Sequence, residues 1–132
     1  AYYAQVEVQP GAGSGTFVWP TSGNITQRYA WYHRGIDIAN NTAPSILASQ
    51  GGRIEAVIYG RYGYGNHVVV NHGNGYQTLY GHMSQIYVSA GDSVSSGQAI
   101  GQMGSTGRST GVHLHFEVIQ NGVKLNPLSV LQ

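Results

Sequence analysis

The chain contains no cysteine and few charged residues, and both absences limit what it can be. Without cysteine it has no disulfide and no thiolate metal site. Charged residues make up 8% of the 132 residues, against roughly 25% in an ordinary globular protein. No apolar run approaches the roughly 20 residues that a membrane-spanning helix requires, so no membrane span is predicted within this chain.

The charges that are present do not form a nucleic-acid-binding surface. Six basic residues are scattered among five acidic ones, and the net charge is +1. Proteins that bind nucleic acids instead carry clustered lysines and arginines that face the phosphates. A nucleic-acid partner is therefore not expected.

Twenty glycines, ten tyrosines and short β-branched runs dominate the sequence. This composition is typical of short strands joined by tight turns. Strands are expected at residues 53–59 and 67–71, and the Asn-Gly pairs at 74–75 and 121–122 predict two-residue hairpins. Only residues 44–50 resemble a helical turn. The predicted fold is all-β, with mostly antiparallel sheets in one domain.

The first residues do not share this pattern. Residues 9–15 are rich in glycine and turn formers, which is typical of flexible chain. We therefore expect residues 1–16 to be a lead-in segment or a linker remnant, with residues 2–8 either an edge strand or part of that linker. The structured domain is expected over residues 17–132.

One predicted strand, residues 113–119, carries two histidines on the same face. Side chains alternate along a strand, so His113, His115 and Glu117 share one face and the apolar residues between them share the other. Two imidazoles and a carboxylate over an apolar stripe suit a metal site. An ordinary solvated face is the alternative for this pattern taken alone.

His33 and Asp37 form a second candidate pair, because imidazole nitrogen and carboxylate oxygen are both good zinc ligands. Gly35 between them lets the chain bend so that the two side chains meet. Together with the pair at 113 and 115 they give three ligands and a spare histidine. Three ligands with an open fourth position are typical of catalytic zinc, and the spacing leaves open which histidine of the second pair binds the metal.

The remaining histidines are candidates for other roles. No His-Glu-x-x-His helix is present to supply a glutamate base, so His82 and one histidine of the 113/115 pair are candidates for proton transfer and oxyanion stabilisation. His72 is expected to make a structural hydrogen bond, and His67 to face solvent or the cleft. Serine catalysis is disfavoured because no Gly-x-Ser-x-Gly elbow occurs.

Several blocks of the sequence, in order and at matching spacing from about residue 19 to residue 131, resemble the lysostaphin-type zinc metallopeptidases. These enzymes cut peptide bonds in bacterial cell-wall peptidoglycan. The blocks that carry the resemblance are residues 33–37, 65–73, 78–84, 91–101, 104–117 and 126–127. Each block is short, but the whole set is specific.

The resemblance implies a role for each matching residue. His33, Asp37 and His115 would hold Zn²⁺, and His82 and His113 would handle the proton and the developing oxyanion. A tyrosine near the scissile bond is often found in the family, and Tyr29 or Tyr32 is the candidate here for substrate binding. The resemblance also implies a groove across the sheet, walled by loops, in an otherwise antiparallel β fold.

The implied partner is a peptidoglycan peptide, and the implied location is extracellular, periplasmic or at the cell wall, with the chain acting as a monomer. One alternative is a non-catalytic cell-envelope module that binds and activates another hydrolase. A biotinyl- or lipoyl-type carrier is disfavoured, because the single lysine, Lys124, lies far from the residue 91–101 hairpin. Metal content and turnover separate the first two hypotheses.

Overall fold

A computed structural model describes residues 2–3 and 17–131. In these ranges the chain forms twelve strands and one short 3-10 helix, with no α-helix. The strands are β1 (Tyr2–Tyr3), β2 (Gly23–Gln27), β3 (Ile36–Ala39), β4 (Ser45–Leu47), β5 (Gly52–Ile58), β6 (His67–Gly73), β7 (Tyr76–Gly81), β8 (Met83–Ile86), β9 (Ser93–Val94), β10 (Ala99–Met103), β11 (His113–Gln120) and β12 (Val123–Leu125). The 3-10 helix is Pro127–Ser129.

Two antiparallel sheets make up the fold. The larger has nine strands in the order β1-β2-β3-β11-β7-β6-β5-β9, with β12 paired to β11. The smaller has three strands in the order β4-β10-β8. Every pair of these strands is antiparallel, which confirms the all-β prediction.

The central strand β11 places the core beneath the candidate site. Leu114, Phe116 and Val118 are fully buried, and burial of each side chain of this kind contributes about 1.5–3 kcal/mol. Ile36 and Ile38 on the neighbouring β3 belong to the same core cluster. The alternate residues of both strands project to the opposite face, so the apolar core holds the polar residues of β3 and β11 in register.

Both predicted hairpins are present. Asn74 and Gly75 join β6 to β7 with φ of 54° and 82°, and Asn121 and Gly122 join β11 to β12 with φ of 51° and 80°. Two-residue turns of this type need positive φ at both positions, which Asn and Gly adopt readily. The second hairpin brings β12 against the strand that carries His113 and His115.

The helical turn expected at residues 44–50 is wrong. Residues Ser45–Leu47 form β4, which pairs with β10 through Leu47 and Ala99. Ile46 is fully buried and belongs to the hydrophobic core cluster. Ladder pairing and burial of this β-branched residue therefore outweigh a weak local preference for helix.

At the start of the chain, Tyr2 and Tyr3 pair with β2 at the edge of the large sheet. The other residues of the expected lead-in segment, 1–16, lie outside the described residues, so the domain division at residue 16 stays a prediction. Within the described ranges no helix has the length and hydrophobicity to cross a membrane.

Candidate metal centre

Two adjacent strands and one tight turn bring His33, Asp37 and His115 together. Asp37 on β3 lies directly opposite His115 on β11 in the antiparallel register. His33 precedes β3 in a turn closed by backbone hydrogen bonds in both directions with Ala30, at 2.8 and 3.0 Å. The sheet thus fixes two of the donors, and the turn adds the third.

The donor atoms of these three residues converge on one point. Each lies within 4.8 Å of the others. The Asp37 carboxylate is the common partner, because its Oδ1 lies 3.2 Å from His33 Nε2 and 2.8 Å from His115 Nδ1. The second ring nitrogen of His33, Nδ1, lies 3.2 Å from the carbonyl oxygen of Arg28, which orients the ring.

The electrostatics of the group pair an ionised carboxylate with a positively charged imidazole. Burial alone would lower the pKa of His115, but hydrogen bonds and charge from Asp37 and Glu117 raise that pKa to about 9. Burial would raise the pKa of Asp37, yet the hydrogen bond from His115 and the three nearby histidines hold it below its ordinary value. The Asp37 carboxylate therefore carries a negative charge that faces two imidazoles.

This donor set fits Zn²⁺. Two imidazole nitrogens and one carboxylate oxygen are borderline ligands of the kind that zinc prefers. Among residues 17–131 the convergent group contains three members, all of which border the groove described below. A fourth position towards that groove is the arrangement of a catalytic site, whereas structural zinc sites are closed by four protein ligands.

His113 and His82 lie beside the donor group. Their rings are 4.7 Å apart, and the His82 ring is 6.1 Å from that of His115. His113 Nε2 lies 3.7 Å from Asp37 Oδ2, and its Nδ1 lies 3.0 Å from the Gly111 carbonyl oxygen. Two imidazoles outside the donor group therefore border the same space.

His82 is held in an uncommon backbone conformation, with φ of 62° between β7 and β8. Its backbone N–H donates to Tyr64 O at 2.7 Å, and its Nδ1 lies 2.7 Å from Thr106 O. A carbonyl oxygen only accepts, so Nδ1 carries a proton and the neutral ring has its lone pair on Nε2. Burial lowers the pKa of His82, which favours this neutral form.

A groove runs over the donor group and is walled by two loops and by the end of β2. Its lining includes Gly63 and Tyr64 from one loop, residues 108–112 from the other, and Tyr32. Tyr29, the other tyrosine proposed for substrate binding, donates its hydroxyl to Lys124 O at 3.1 Å and is not part of the lining. Of the two candidates, Tyr32 alone borders the groove.

Residues other than the expected ligands and the expected catalytic pair also belong to this region. Tyr64 donates to Glu117 Oε2 at 2.6 Å, and Glu117 Oε2 lies 2.8 Å from His115 Nε2. Strand parity signalled Glu117, because it shares a face with His115. No local pattern signalled Tyr64 or Lys124, since their positions depend on how loops and strands pack.

Two histidines lie apart from the donor group. His72 has its Nδ1 2.9 Å from Gly51 O and its Nε2 2.7 Å from Thr78 Oγ1, so its expected structural hydrogen bonding is confirmed. His67 has its Nδ1 2.9 Å from Gly65 O and does not line the groove.

The fold and the His-Asp-His group define an antiparallel β protein with a cluster of residues that could hold a metal ion. Residues 31–127 match Peptidase family M23, and the chain belongs to that family. The resemblance to lysostaphin-type enzymes is thereby confirmed. The family is zinc-dependent, and the group expected to serve that metal is present.

The similar proteins include a peptidase and an activator of murein hydrolases. The chain is 48% identical over 99 residues to the DD-carboxypeptidase/endopeptidase Mpg of Neisseria meningitidis, covering 74% of this chain and 22% of Mpg. It is 38% identical over 127 residues to a lipoprotein NlpD/LppB homolog of Pseudomonas aeruginosa, covering 94% and 42%. It is 35% identical over 119 residues to the murein hydrolase activator NlpD of Escherichia coli, covering 88% and 31%. The chain thus spans less than half the length of each relative.

Solved structures share the fold. A zinc-containing peptidase from Vibrio cholerae matches with a TM-score of 0.78 and 30% identity, over 89% of this chain and 39% of that one. Lysostaphin from Staphylococcus simulans matches with a TM-score of 0.70 and 33% identity, over 81% and 47%. These similarities confirm the predicted fold class.

Proposed function

We propose that this chain is the catalytic domain, over residues 17–132, of a zinc-dependent endopeptidase that hydrolyses cross-links or stem peptides of bacterial peptidoglycan. The observation that carries the proposal is the convergence of His33, Asp37 and His115 beneath a groove that His82 and His113 also border. The similarity to a DD-carboxypeptidase/endopeptidase supports the substrate class.

Each element of the proposed site has a chemical task. The two imidazoles and the Asp37 carboxylate would hold Zn²⁺, which supplies Lewis acidity to a peptide carbonyl and to the attacking water. The loops that wall the groove would hold an extended peptide, with Tyr32 as a contact on one side. Orientation of the peptide by these walls converts hydrolysis into a reaction between positioned groups.

His82 and His113 would move the protons. One imidazole, in its neutral form, would accept a proton from the attacking water through Nε2. The other, protonated on both nitrogens, would donate its Nε2–H to the oxygen of the scissile carbonyl as negative charge develops there. The leaving amine then takes the proton. The hydrogen bonds from Nδ1 to Thr106 O and Gly111 O keep both rings oriented for these tasks.

The second candidate function is a non-catalytic envelope module that activates another hydrolase, which the similarity to NlpD favours. An activator does not require convergent metal donors with free imidazoles beside them. The His-Asp-His group and the adjacent His82 and His113 therefore favour hydrolysis. For either function we propose a monomer located at the cell envelope, in the periplasm or outside the cell.

Incubation of the purified chain with peptidoglycan of several cross-bridge chemistries tests the proposal. New amine ends should appear, should vanish with a chelator and should return when zinc is added back. Mass spectrometry of the released peptides identifies the bond. A chain that binds no zinc and releases no amine ends, yet stimulates a second hydrolase, would establish the activator instead.

A further inference from the structure

Glu117 is a buried carboxylate that the proposed reaction does not use. It is only 2% exposed and lies on β11 two residues beyond His115. An ionised carboxylate buried without partners costs several kcal/mol, so such a group persists only when it is paired. The partners of Glu117 therefore show what holds it in place.

Two other elements of the fold supply partners of this carboxylate. Tyr64, in the loop between β5 and β6, donates its hydroxyl to Glu117 Oε2 at 2.6 Å. Lys124 on β12, the single lysine of the chain, places Nζ 3.3 Å from Glu117 Oε1 in an ion pair that falls short of hydrogen-bond geometry. Lys124 Nζ also donates to the Tyr64 hydroxyl at 3.3 Å. The carboxylate is thus fixed at both oxygens.

The fixed carboxylate accepts a hydrogen bond from one nitrogen of His115. Glu117 Oε2 lies 2.8 Å from His115 Nε2, and an ionised carboxylate only accepts hydrogen bonds. His115 Nε2 must therefore donate. The other nitrogen, Nδ1, is the one that faces Asp37 Oδ1 at 2.8 Å.

Tyr64 also fixes the orientation of the His115 ring. The two rings stack with centroids 5.5 Å apart and an interplanar angle of 26°. The carbonyl oxygen of Tyr64 accepts the backbone N–H of His82 at 2.7 Å. One tyrosine therefore contacts the candidate ligand through its ring and holds a candidate catalytic residue through its backbone.

We propose that Glu117, anchored by Tyr64 and Lys124, is a positioning residue that commits His115 to bind the metal through Nδ1. The role rests on the zinc site of the proposed function. A histidine that binds metal is commonly oriented by a carboxylate on its second nitrogen, and loss of such a partner weakens metal binding about 10–100-fold. Here the carboxylate is itself held by a hydroxyl and an ammonium group.

Zinc affinity of the full chain, measured by competition with a chelator, tests the role. Glu117→Gln keeps the shape of the side chain but loses its charge, and zinc binding should weaken about 10–100-fold. Tyr64→Phe keeps the ring against His115 and removes only the hydroxyl, so a smaller loss is expected. The matched control is Glu55→Gln, because the exposed Glu55 carboxylate accepts hydrogen bonds from Asn71 and Gln77 and its substitution should leave zinc affinity unchanged.

A double variant separates this network from general damage. If the Tyr64 hydroxyl acts through Glu117, Tyr64→Phe should add little to the loss already caused by Glu117→Gln. Full additivity of the two losses would contradict the proposed coupling. Should Glu117→Gln fail to fold, the zinc affinities of Tyr64→Phe and Lys124→Met can be compared with that of the wild type. Unchanged affinity in both variants would contradict the role of Tyr64 and Lys124 as anchors of the carboxylate.

Nitrogen-15 NMR of the His115 ring gives a readout independent of activity. In the zinc-loaded chain, Nε2 should carry a proton that is shifted downfield and slow to exchange, and Nδ1 should show metal coordination. In Glu117→Gln the proton should move upfield and exchange faster. Coordination through Nε2 in the wild type, or unchanged affinity and spectra in Glu117→Gln, would overturn the role while leaving the zinc site intact. A wild type that takes up no zinc would overturn the zinc site itself.

Discussion

Asp37 and His115 lie directly opposite each other in the pairing of β3 with β11, with Asp37 Oδ1 2.8 Å from His115 Nδ1. The two residues are 78 positions apart in the chain. Opposite residues of an antiparallel pair have Cβ atoms about 4.5–5.5 Å apart, so the register alone brings the carboxylate to the imidazole. A shift of one residue would send one of them to the core face.

Loss of the Asp37 charge should release the metal. Asp37→Asn keeps the size of the side chain but removes the negative charge shared by His33 and His115. Zinc affinity, measured by chelator competition, should fall by more than about 100-fold, the upper range for loss of an indirect partner, and hydrolysis should fall with it.

Asp92→Asn is the matched control for that substitution. Asp92 accepts the backbone N–H of Ser89 at 2.8 Å in a turn away from the donor group. Its variant should bind zinc as the wild type does. Equal zinc affinity in Asp37→Asn and the wild type would exclude Asp37 as a ligand.

Removal of either imidazole outside the donor group should stop turnover without loss of the metal. We expect His113→Ala and His82→Ala each to lower kcat about 10²–10⁴-fold, the usual contribution of a positioned acid or base. Bound zinc, measured by atomic absorption, should remain at one per chain. If His113→Ala also lost its zinc, His113 would be a ligand.

Gly35 is required where β3 approaches β11. A Cβ at this position would lie 2.6 Å from the Phe116 carbonyl oxygen and 3.0 Å from His115 Cε1. Gly35→Ala should therefore destabilise the fold by about 1–3 kcal/mol through overpacking and should weaken zinc binding by displacing His115.

Gly111→Ala provides the comparison, because a Cβ there meets nothing within 4 Å. Thermal unfolding of the two variants should show a lower Tm only for Gly35→Ala. A Gly35→Ala variant with unchanged Tm and zinc affinity would show that β3 and β11 relax around the added methyl group. The sequence suggested a bend at Gly35; the close contact with β11 is the physical requirement.

Acid should weaken the fold through His72. Burial lowers the pKa of His72 below the ordinary value of 6.5, with its backbone hydrogen bonds opposing that shift. As the pH falls below 6.5, the unfolded chain binds this proton before the folded chain does. The free energy of unfolding therefore falls as the pH falls. The contribution levels off below the folded pKa.

His72→Asn removes this titration and retains an amide N–H for Gly51 O. Urea unfolding of both chains in chelator, between pH 7.5 and a pH about one unit below 6.5, should show a shallower pH dependence in the variant. Parallel curves would mean that His72 does not contribute to the acid response.

The sequence predicted much of this architecture because the relevant signals are local. Alternation along residues 113–119 placed His113, His115 and Glu117 on one face, and the structure has that arrangement. The Asn-Gly turns at 74–75 and 121–122 predicted hairpins from backbone preference alone. The prediction of a helical turn at 44–50 was wrong because this segment pairs with β10, which is distant in the chain.

Local sequence patterns could not predict the network of side chains that contacts His115 through Glu117. Tyr64, Glu117 and Lys124 meet only because the loop after β5 packs against the hairpin of β11 and β12. The sequence also did not decide which of Tyr29 and Tyr32 contacts the substrate. In the structure the Tyr29 hydroxyl donates to Lys124 O, whereas Tyr32 lines the groove.

By itself, the sequence determined the β class, the hairpins and the residue types of the candidate metal centre, since side-chain alternation and turn chemistry act over a few residues. The tertiary structure decided which nitrogen of His115 faces Asp37, which tyrosine borders the groove, and which groups hold Glu117. These depend on strand register and loop packing across the fold, where contacts join residues as far as 78 positions apart.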